Sequence, residues 1–361
     1  PATSSALATS SAPAPRRIAL VRLSHLGDVV LALPLFHALR ARFPAAELAW
    51  VVQREFAPLV EPLPGLARTI RFDRRGGLRG WLELRRELAE FSPDLAIDAQ
   101  GNLKSGFALA CSGAATRVGM ARADWREPLG RFALTESADA ARGEHAFERT
   151  LALCRHFGVE EEPRRDPALS AAELRAGRER LEAFGLRRDD VILQLSPERD
   201  VRSWPLARNL ELLEQLGRDG RRCVALSGPA EQAEGERLRE RASGLAHVQH
   251  WVGQRGLREL AGFFAVSAES GARYVGGDTG PTHLAAACGL PVTVLCGPHS
   301  HLRTGPWPVV GHGPHRAVRA AVQPSCAPCL ARSCSHAQGP VCMRDLAADE
   351  VRMALGSIRS A

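Results

Sequence analysis

From Arg17 onward the chain alternates short apolar, β-branched runs with longer stretches whose apolar residues recur at helical spacing. RIALVRL leads into a polar turn, SHLGD, and then VVLALPLFHALRARF, which predicts strand, loop and helix in order. The rhythm repeats. ELAWVV is followed by the stretch from Phe56 to Leu63, ARTIRF by GLRGWLELRRELAEF, and DLAIDAQ by the stretch from Lys104 to Cys111. Strands separated by helices predict a parallel sheet, because a parallel neighbour can be reached only by a long crossover.

A charge-rich stretch that reads as helical covers about 160–188, with EEPRRDP as the linker, and then the alternation restarts. DVILQL precedes a helix from Pro205, RRCVALSG a helix from about Pro229, and HVQHWVG the segment GLRELAGFFAVS. ARYVGG precedes a helix after Asp278, and PVTVLCG follows. A last helical pattern covers about Leu346 to Arg359. Two such series predict two Rossmann-like domains, 16–165 and 166–361, with their parallel sheets facing a central cleft. Ligands in such sheets bind in the loops at the carboxyl ends of the strands.

A length of 361 residues suits two domains of ordinary size. No apolar run reaches the roughly 20 residues that span a bilayer. The first fifteen residues, PATSSALATSSAPAP, have neither a basic start nor an apolar core, so they are expected to be a disordered leader rather than a secretory signal. Nine cysteines, five of them scattered singly, do not form a secreted disulfide framework and fit a reducing cytoplasm. The net charge of +7 calls for an anionic partner. Aromatic residues make up only 5% of the chain, too few to stack single-stranded bases, so nucleic acid is set aside.

The densest chemistry lies between Tyr274 and Pro306. A strand ends at Gly277, Asp278-Thr279-Gly280 turns, and Pro281 stands where the first turn of a helix accepts proline. Backbone N–H groups there form an anion site, with Gly280 allowing close approach and Thr279 offering a hydroxyl; the plainer reading is that Asp278 and Thr279 only cap the helix. A second loop, Gly297-Pro298-His299-Ser300, is expected beside the first. SPERDVRSWP, from Ser196 to Pro205, carries Arg199 and Arg202, either to offset a diphosphate or as a solvated loop.

In the first half, Ser24-His25-Leu26-Gly27-Asp28 sits where phosphate loops sit, but lacks both the dinucleotide glycine fingerprint and the P-loop ending. Asp28 at a helix start would stay ionised and serve either as general base or as an ordinary cap. DAQGNLKSG supplies Lys104, the sole lysine, as a contact for an anionic acceptor. Cys326, Cys329, Cys334 and Cys342 crowd into seventeen residues. They are compatible with a structural Zn or Fe site or with reduced thiols packing a small knuckle.

RLSHLGDVVLALPLFHALRARFP, DAQGNLKSG and GGDTGPTHLAAACGLPVTVLCGP together resemble the ADP-heptose glycosyltransferases, glycosyltransferase family 9, which includes the lipopolysaccharide heptosyltransferases. The resemblance runs from Arg17 to about residue 355. It implies the GT-B architecture, a donor-binding second domain, an ADP-sugar donor and no catalytic cofactor. It assigns Asp28 as the base that deprotonates the acceptor, and Asp278, Thr279, Gly280 and His283 to the donor diphosphate and its sugar. Arg202 stands where relatives often have lysine. Glu231 or Glu234 is the candidate for the nucleoside. Ser196, Arg199 and Gly297 complete the expected donor set, and Ser24, His25, Gly27 and Lys104 the acceptor set.

The implied reaction is an inverting, metal-independent transfer of heptose to a lipopolysaccharide inner-core acceptor, an anionic glycolipid. The implied setting is a cytoplasmic monomer peripheral to the inner face of the cytoplasmic membrane. The alternatives are a non-catalytic sugar-nucleotide or glycolipid-binding module, a transferase using another nucleotide sugar or a protein acceptor, and a nucleotide-sugar epimerase. A nicotinamide-dependent oxidoreductase would need the glycine fingerprint that neither half shows.

Overall fold

The computed structural model describes residues 14–356. The leader expected over 1–15 therefore falls almost wholly outside the described residues, as does the end of the last predicted helix. The chain divides into two compact units, Pro1–Ala168 and Leu169–Ala361.

The N-terminal unit holds strands β1 (Arg17–Val21), β2 (Glu47–Gln53), β3 (Leu66–Phe72), β4 (Leu95–Asp98), β5 (Thr116–Gly119) and β6 (Glu136–Ser137). Its helices are α1 (Leu26–Arg42), α2 (Ala57–Val60), α3 (Gly77–Phe91), α4 (Leu103–Cys111) and α5 (Ala146–His156). The sheet order is β3-β2-β1-β4-β5-β6 and every pairing is parallel. Ile18, Ala19, Leu20 and Val21 are each at most 1% exposed, which is why this strand reads as a continuous apolar run: helices cover both faces of the sheet.

The C-terminal unit repeats the plan with β7 (Val191–Gln194), β8 (Cys223–Leu226), β9 (Val248–Trp251), β10 (Arg273–Gly277), β11 (Val292–Leu295) and β12 (Arg316–Val318). Its helices are α6 (Ala171–Phe184), α7 (Leu206–Arg218), α8 (Gln232–Arg241), α9 (Leu257–Glu269), α10 (Gly280–Ala287), α11 (His301–Thr304), α12 (Val341–Arg344) and α13 (Ala348–Gly356). The order β12-β11-β10-β7-β8-β9 is again wholly parallel and has the same topology as the first sheet.

Local chemistry sets the helix limits. Ser170 caps α6 by accepting from the Glu173 N–H while the Glu173 carboxylate accepts from the Ser170 N–H, and Gly185 ends the helix with φ of 63°. In α7, Asn209, Leu212, Leu213 and Leu216 form the buried stripe that helical spacing predicts. α6 and α9 come into backbone contact because Gly177 faces the Gly262 carbonyl, where any side chain would collide. Beside that contact Arg258 donates to both oxygens of Glu173, at 2.6 and 2.7 Å. β5, β6 and β12 were not expected from the sequence. They are two to four residues long, too short to show periodicity.

In each sheet the chain winds outward in two directions from a switch point, between β1 and β4 in the first unit and between β7 and β10 in the second. At such points neighbouring crossovers lie on opposite faces and leave a crevice at the strand ends. The loops after β1 and β4, and those after β7 and β10, are the segments singled out by their sequence.

Candidate active site

In the N-terminal unit the loop between β1 and α1 is held from outside itself. The Gln100 side-chain oxygen accepts from the Leu23 and Ser24 N–H groups at 2.7 and 3.2 Å. Arg22 donates through Nη1 to the Ala99 carbonyl. The loop carrying Gln100 is shaped in turn by Asp98, whose Oδ1 accepts from the Gln100 and Gly101 N–H groups at 2.7 and 2.9 Å. Asp98 is fully buried, and burial pushes its carboxyl pKa up.

Asp28 lies in the first turn of α1, with His25 as the residue that caps it. Its Oδ2 accepts from the His25 N–H at 3.3 Å, and its Oδ1 stands 2.8 Å from Arg22 Nη2. Burial opposes ionisation of Asp28, but the Arg22 guanidinium and the His25 hydrogen bonds outweigh it and hold the carboxyl well below the usual range. The carboxylate is still 40% exposed, so it is ionised and reachable. His25 is exposed, Ser24 half-buried and Gly27 buried. Lys104 is exposed in the first turn of α4, which Asn102 caps by accepting from the Ser105 N–H at 2.9 Å. The predicted acceptor residues thus sit on adjacent loops at one switch point.

In the C-terminal unit Asp278 is the hub. It is 5% exposed, and its oxygens are taken by His283 Nε2 at 3.2 Å, His299 Nδ1 at 3.2 Å and the Thr304 hydroxyl, which donates at 2.6 Å. Burial again opposes ionisation, and these hydrogen bonds overcome it, holding the carboxyl well below the usual range. Neither Asp278 nor Thr279 caps α10 with its side chain, so the reading that both residues serve only as caps does not hold. His283 Nδ1 is buried without a hydrogen-bond partner, close to the start of α10.

Arg202 reaches across the second switch point and donates to the Asp278 carbonyl at 2.6 Å. It also makes a two-pronged pair with Asp200, Nε to Oδ1 at 2.8 Å and Nη2 to Oδ2 at 2.5 Å. Its guanidinium is therefore fixed in place, with part of its charge already offset. Arg199 is exposed on the same loop and Ser196 is half-buried at its start. In the loop after β8, Glu231 accepts from the Gly228 N–H at 3.0 Å, and burial raises its pKa. Glu234 is committed elsewhere, accepting from the Glu198 N–H at 3.0 Å.

Gly297 belongs to the expected donor set, and a side chain there would strike Met343 and come within 3.1 Å of the Cys342 sulfur. The missing side chain makes room for the core. Cys326, Cys329, Cys334 and Cys342 line one small cavity with His336, and all four are free thiols. Cys342 is buried beside Met343 while the other three are exposed, and among the described residues no three His, Cys, Asp or Glu side chains are gathered as a metal site.

Asp200, His299 and Thr304 were not singled out as site residues, nor were Arg22 and Gln100. His299 alone had a visible signal, as part of a polar loop expected to abut the Asp278 turn.

Two parallel sheets of Rossmann order, each with its polar loops at the switch point, are the plan on which glycosyltransferases of the GT-B class are built. Residues 81–338 match the model of glycosyltransferase family 9 (heptosyltransferase). The chain is 31% identical over 330 residues to lipopolysaccharide heptosyltransferase 1 of Pseudomonas aeruginosa, covering 89% of this chain and 88% of that protein. Its fold is similar to that of the family 9 glycosyl transferase from Veillonella parvula, with a TM-score of 0.74, 18% identity and coverage of 95% and 96%. It is also similar to that of the heptosyltransferase WaaC of Escherichia coli with ADP, with a TM-score of 0.68, 24% identity and coverage of 94% and 97%. The chain belongs to glycosyltransferase family 9. Among the described residues no helix is long and apolar enough to cross a membrane.

Proposed function

We propose that this enzyme transfers heptose from ADP-heptose to a lipopolysaccharide inner-core acceptor by direct displacement with inversion, without a catalytic metal. The observation that carries the reading is the division of labour between the two switch points. One presents an ionised, reachable carboxylate, Asp28, and the other a helix start framed by the Asp278 hub and a fixed arginine. The heptosyltransferase names of the curated relatives and the ADP in the Escherichia coli neighbour support the choice of donor and acceptor class.

The donor diphosphate lies at the N-terminus of α10, with the Thr279 hydroxyl and Gly280 N–H toward it and Arg202 and Arg199 beside it. Glu231 is assigned to the nucleoside. Asp278 orients His283 and His299 and does not meet the phosphates itself, since two like charges there would repel. The acceptor oxygen attacks the anomeric carbon as the bond to the diphosphate breaks, and ADP leaves with the bonding electron pair. Its growing charge is met by the helix terminus and the guanidinium groups.

The acceptor proton passes to Asp28. A carboxylate held this far below its usual range is a weak base toward a neutral hydroxyl. Proton transfer is therefore late, after the attacking oxygen has given electron density to carbon and become acidic. General-base help of this kind is worth roughly 10²–10⁴-fold.

The test is calorimetric titration with ADP, ADP-heptose, and UDP- and GDP-sugars, with turnover measured in excess EDTA. Selective binding of the ADP ligands and unchanged turnover are expected. Preference for UDP or GDP ligands overturns the donor, and loss of turnover to EDTA with the fold intact overturns metal independence.

A further inference from the structure

The loop after β11 holds a histidine whose outer nitrogen has no task inside the protein. His299 Nδ1 lies 3.2 Å from Asp278 Oδ2, the oxygen that also accepts from the Thr304 hydroxyl at 2.6 Å. An ionised carboxylate has no proton to give, so Nδ1 carries the proton of that bond. Among the described residues no hydrogen bond reaches Nε2, and the side chain is 24% exposed. The other imidazole on Asp278 is arranged the opposite way. His283 turns Nε2 to the carboxylate, keeps Nδ1 buried and is only 9% exposed. Of the two rings, His299 is the one open to a ligand.

Its neighbours place it at the proposed diphosphate site. Asp278 stands two residues ahead of Gly280, which begins α10. The Asp278 carbonyl accepts from Arg202 at 2.6 Å while the carboxylate holds His299, so the guanidinium and the imidazole flank one residue. Asp200 is within reach of the same ring. Burial opposes ionisation of Asp200, and the Arg202 hydrogen bonds, with the charges of Arg202 and His299, outweigh it and hold the carboxyl below the usual range.

Two carboxylates beside an incoming diphosphate would repel it, and Arg202 has already given part of its charge to Asp200. A second cation between Asp278 and the phosphates turns that repulsion into attraction. A neutral His299 would turn the Nε2 lone pair toward the anion, whereas a ring that has taken a proton from water turns an N–H toward it.

We propose that His299 is this second cation, donating from Nε2 to an oxygen of the β-phosphate of the donor. The proposal deepens the proposed function and rests on its placing of the diphosphate at α10. When the bond from the anomeric carbon to the β-phosphate oxygen breaks, the electron pair stays on that oxygen and the phosphate gains one negative charge. The imidazolium keeps its proton and its hydrogen bond strengthens, while the acceptor proton goes to Asp28. Asp278, which fixes the ring without touching the donor, is a positioning residue.

The deciding variant is His299→Asn. Its amide reproduces Nδ1, and so the bond to Asp278, but puts nothing at Nε2; His299→Gln puts an uncharged N–H near Nε2. Calorimetry compares ADP with AMP, which lacks the β-phosphate, and likewise UDP with UMP and GDP with GMP. Turnover and melting temperature are measured alongside. In His299→Asn, affinity for the diphosphate should fall roughly tenfold or more, and affinity for the monophosphate should stay within about twofold, at an unchanged melting temperature. Turnover should fall roughly 10–100-fold, and His299→Gln should recover part of both losses.

Equal diphosphate affinity in wild type and His299→Asn overturns the proposal. So does an equal loss for diphosphate and monophosphate, which makes the histidine a brace for its loop. Weakened binding of the sugar nucleotide with ADP affinity intact moves His299 to the sugar and overturns the β-phosphate contact. A wrong donor nucleoside shows as tight binding of the UDP or GDP pair, and the His299 comparison is then read within that pair. A wild type that binds none of the diphosphates overturns the donor reading and this proposal with it.

Discussion

Arg22 Nη2 and Asp28 Oδ1 stand 2.8 Å apart, joining the end of β1 to the first turn of α1 and making the reachable carboxylate of this unit a paired one. The pair fixes both where the Asp28 carboxylate points and how readily it takes a proton. Replacing Asp28 by Asn keeps the shape and removes the proton acceptor. Turnover should fall by roughly 10²–10⁴-fold while ADP affinity, measured by calorimetry, stays within about twofold. A parallel loss of ADP affinity would mean that Asp28 acts in donor binding and not as base.

The same pair predicts a pH dependence. Asp28 must be ionised to accept a proton, so activity is lost as pH falls through its pKa. In the wild type that pKa lies well below the ordinary 3.8, and no limb from Asp28 should appear in kcat/KM above about pH 5. In Arg22→Gln the attraction is gone and burial, which raises the pKa, remains. The acidic limb should then move up past the ordinary value and become visible near pH 5, with melting temperature checked alongside. An unmoved limb means that Arg22 only supports the loop through Ala99. The stability linkage has the same sign: the depressed pKa contributes stability above 3.8 that is lost as pH falls through the folded value.

Asp278 binds its two imidazoles and one hydroxyl as an anion. Asp278→Asn keeps the size but leaves at least one histidine without its acceptor. Affinity for ADP should drop by roughly tenfold or more, whereas Thr304→Val, which removes one donor of three, should cost about threefold. Both are read by calorimetry. If Asp278→Asn lowers the melting temperature but leaves ADP affinity intact, the hub is a brace for the β10 and β11 loops and not part of donor binding.

Glu173 and Arg258 lock α6 to α9. The Arg258 hydrogen bonds are the main cause that brings the Glu173 pKa from 4.5 down to about 2. Glu173→Gln should destabilise the C-terminal unit by about 2 kcal/mol, a fall of roughly 4–8 °C in melting temperature. Because the folded pKa is depressed, the contribution is present above pH 4.5 and fades as pH falls toward about 2. The gap between wild type and variant should therefore close over that window. A gap independent of pH would place the loss in packing at the Gly177–Gly262 contact and not in the charge pair.

The double alternation of strand and helix was legible because both sheets are buried on both faces, so strand segments such as IALV in β1 and CVAL in β8 appear as unbroken apolar runs. The turn after β10 was equally plain, since Asp-Thr-Gly followed by Pro281 is local chemistry: one turn, one helix start. These features depend on neighbours a few residues away. From them came the fold class, the two-unit plan and the loops in which to look.

The partners inside those loops depended on distances no local pattern carries. Gln100 reaches back 77 residues to hold Leu23, Arg202 reaches 76 forward to the Asp278 carbonyl, and Thr304 returns 26 residues to the Asp278 carboxylate. Gly297 also has a packing reason that its sequence position did not show, since an added side chain would strike Met343. Packing alone shows which stripe of α3 the sheet takes, burying Leu84 and Leu88 and leaving Leu78 and Leu82 exposed. Sequence by itself determined the longer strands and helices and the chemically loaded turns, because those follow from side-chain spacing and backbone preference. Tertiary structure alone decided which charges are paired, which glycine serves packing and which apolar face is left over. Those outcomes are set by the order of strands in the sheets, which brings residues far apart in the chain within hydrogen-bond reach.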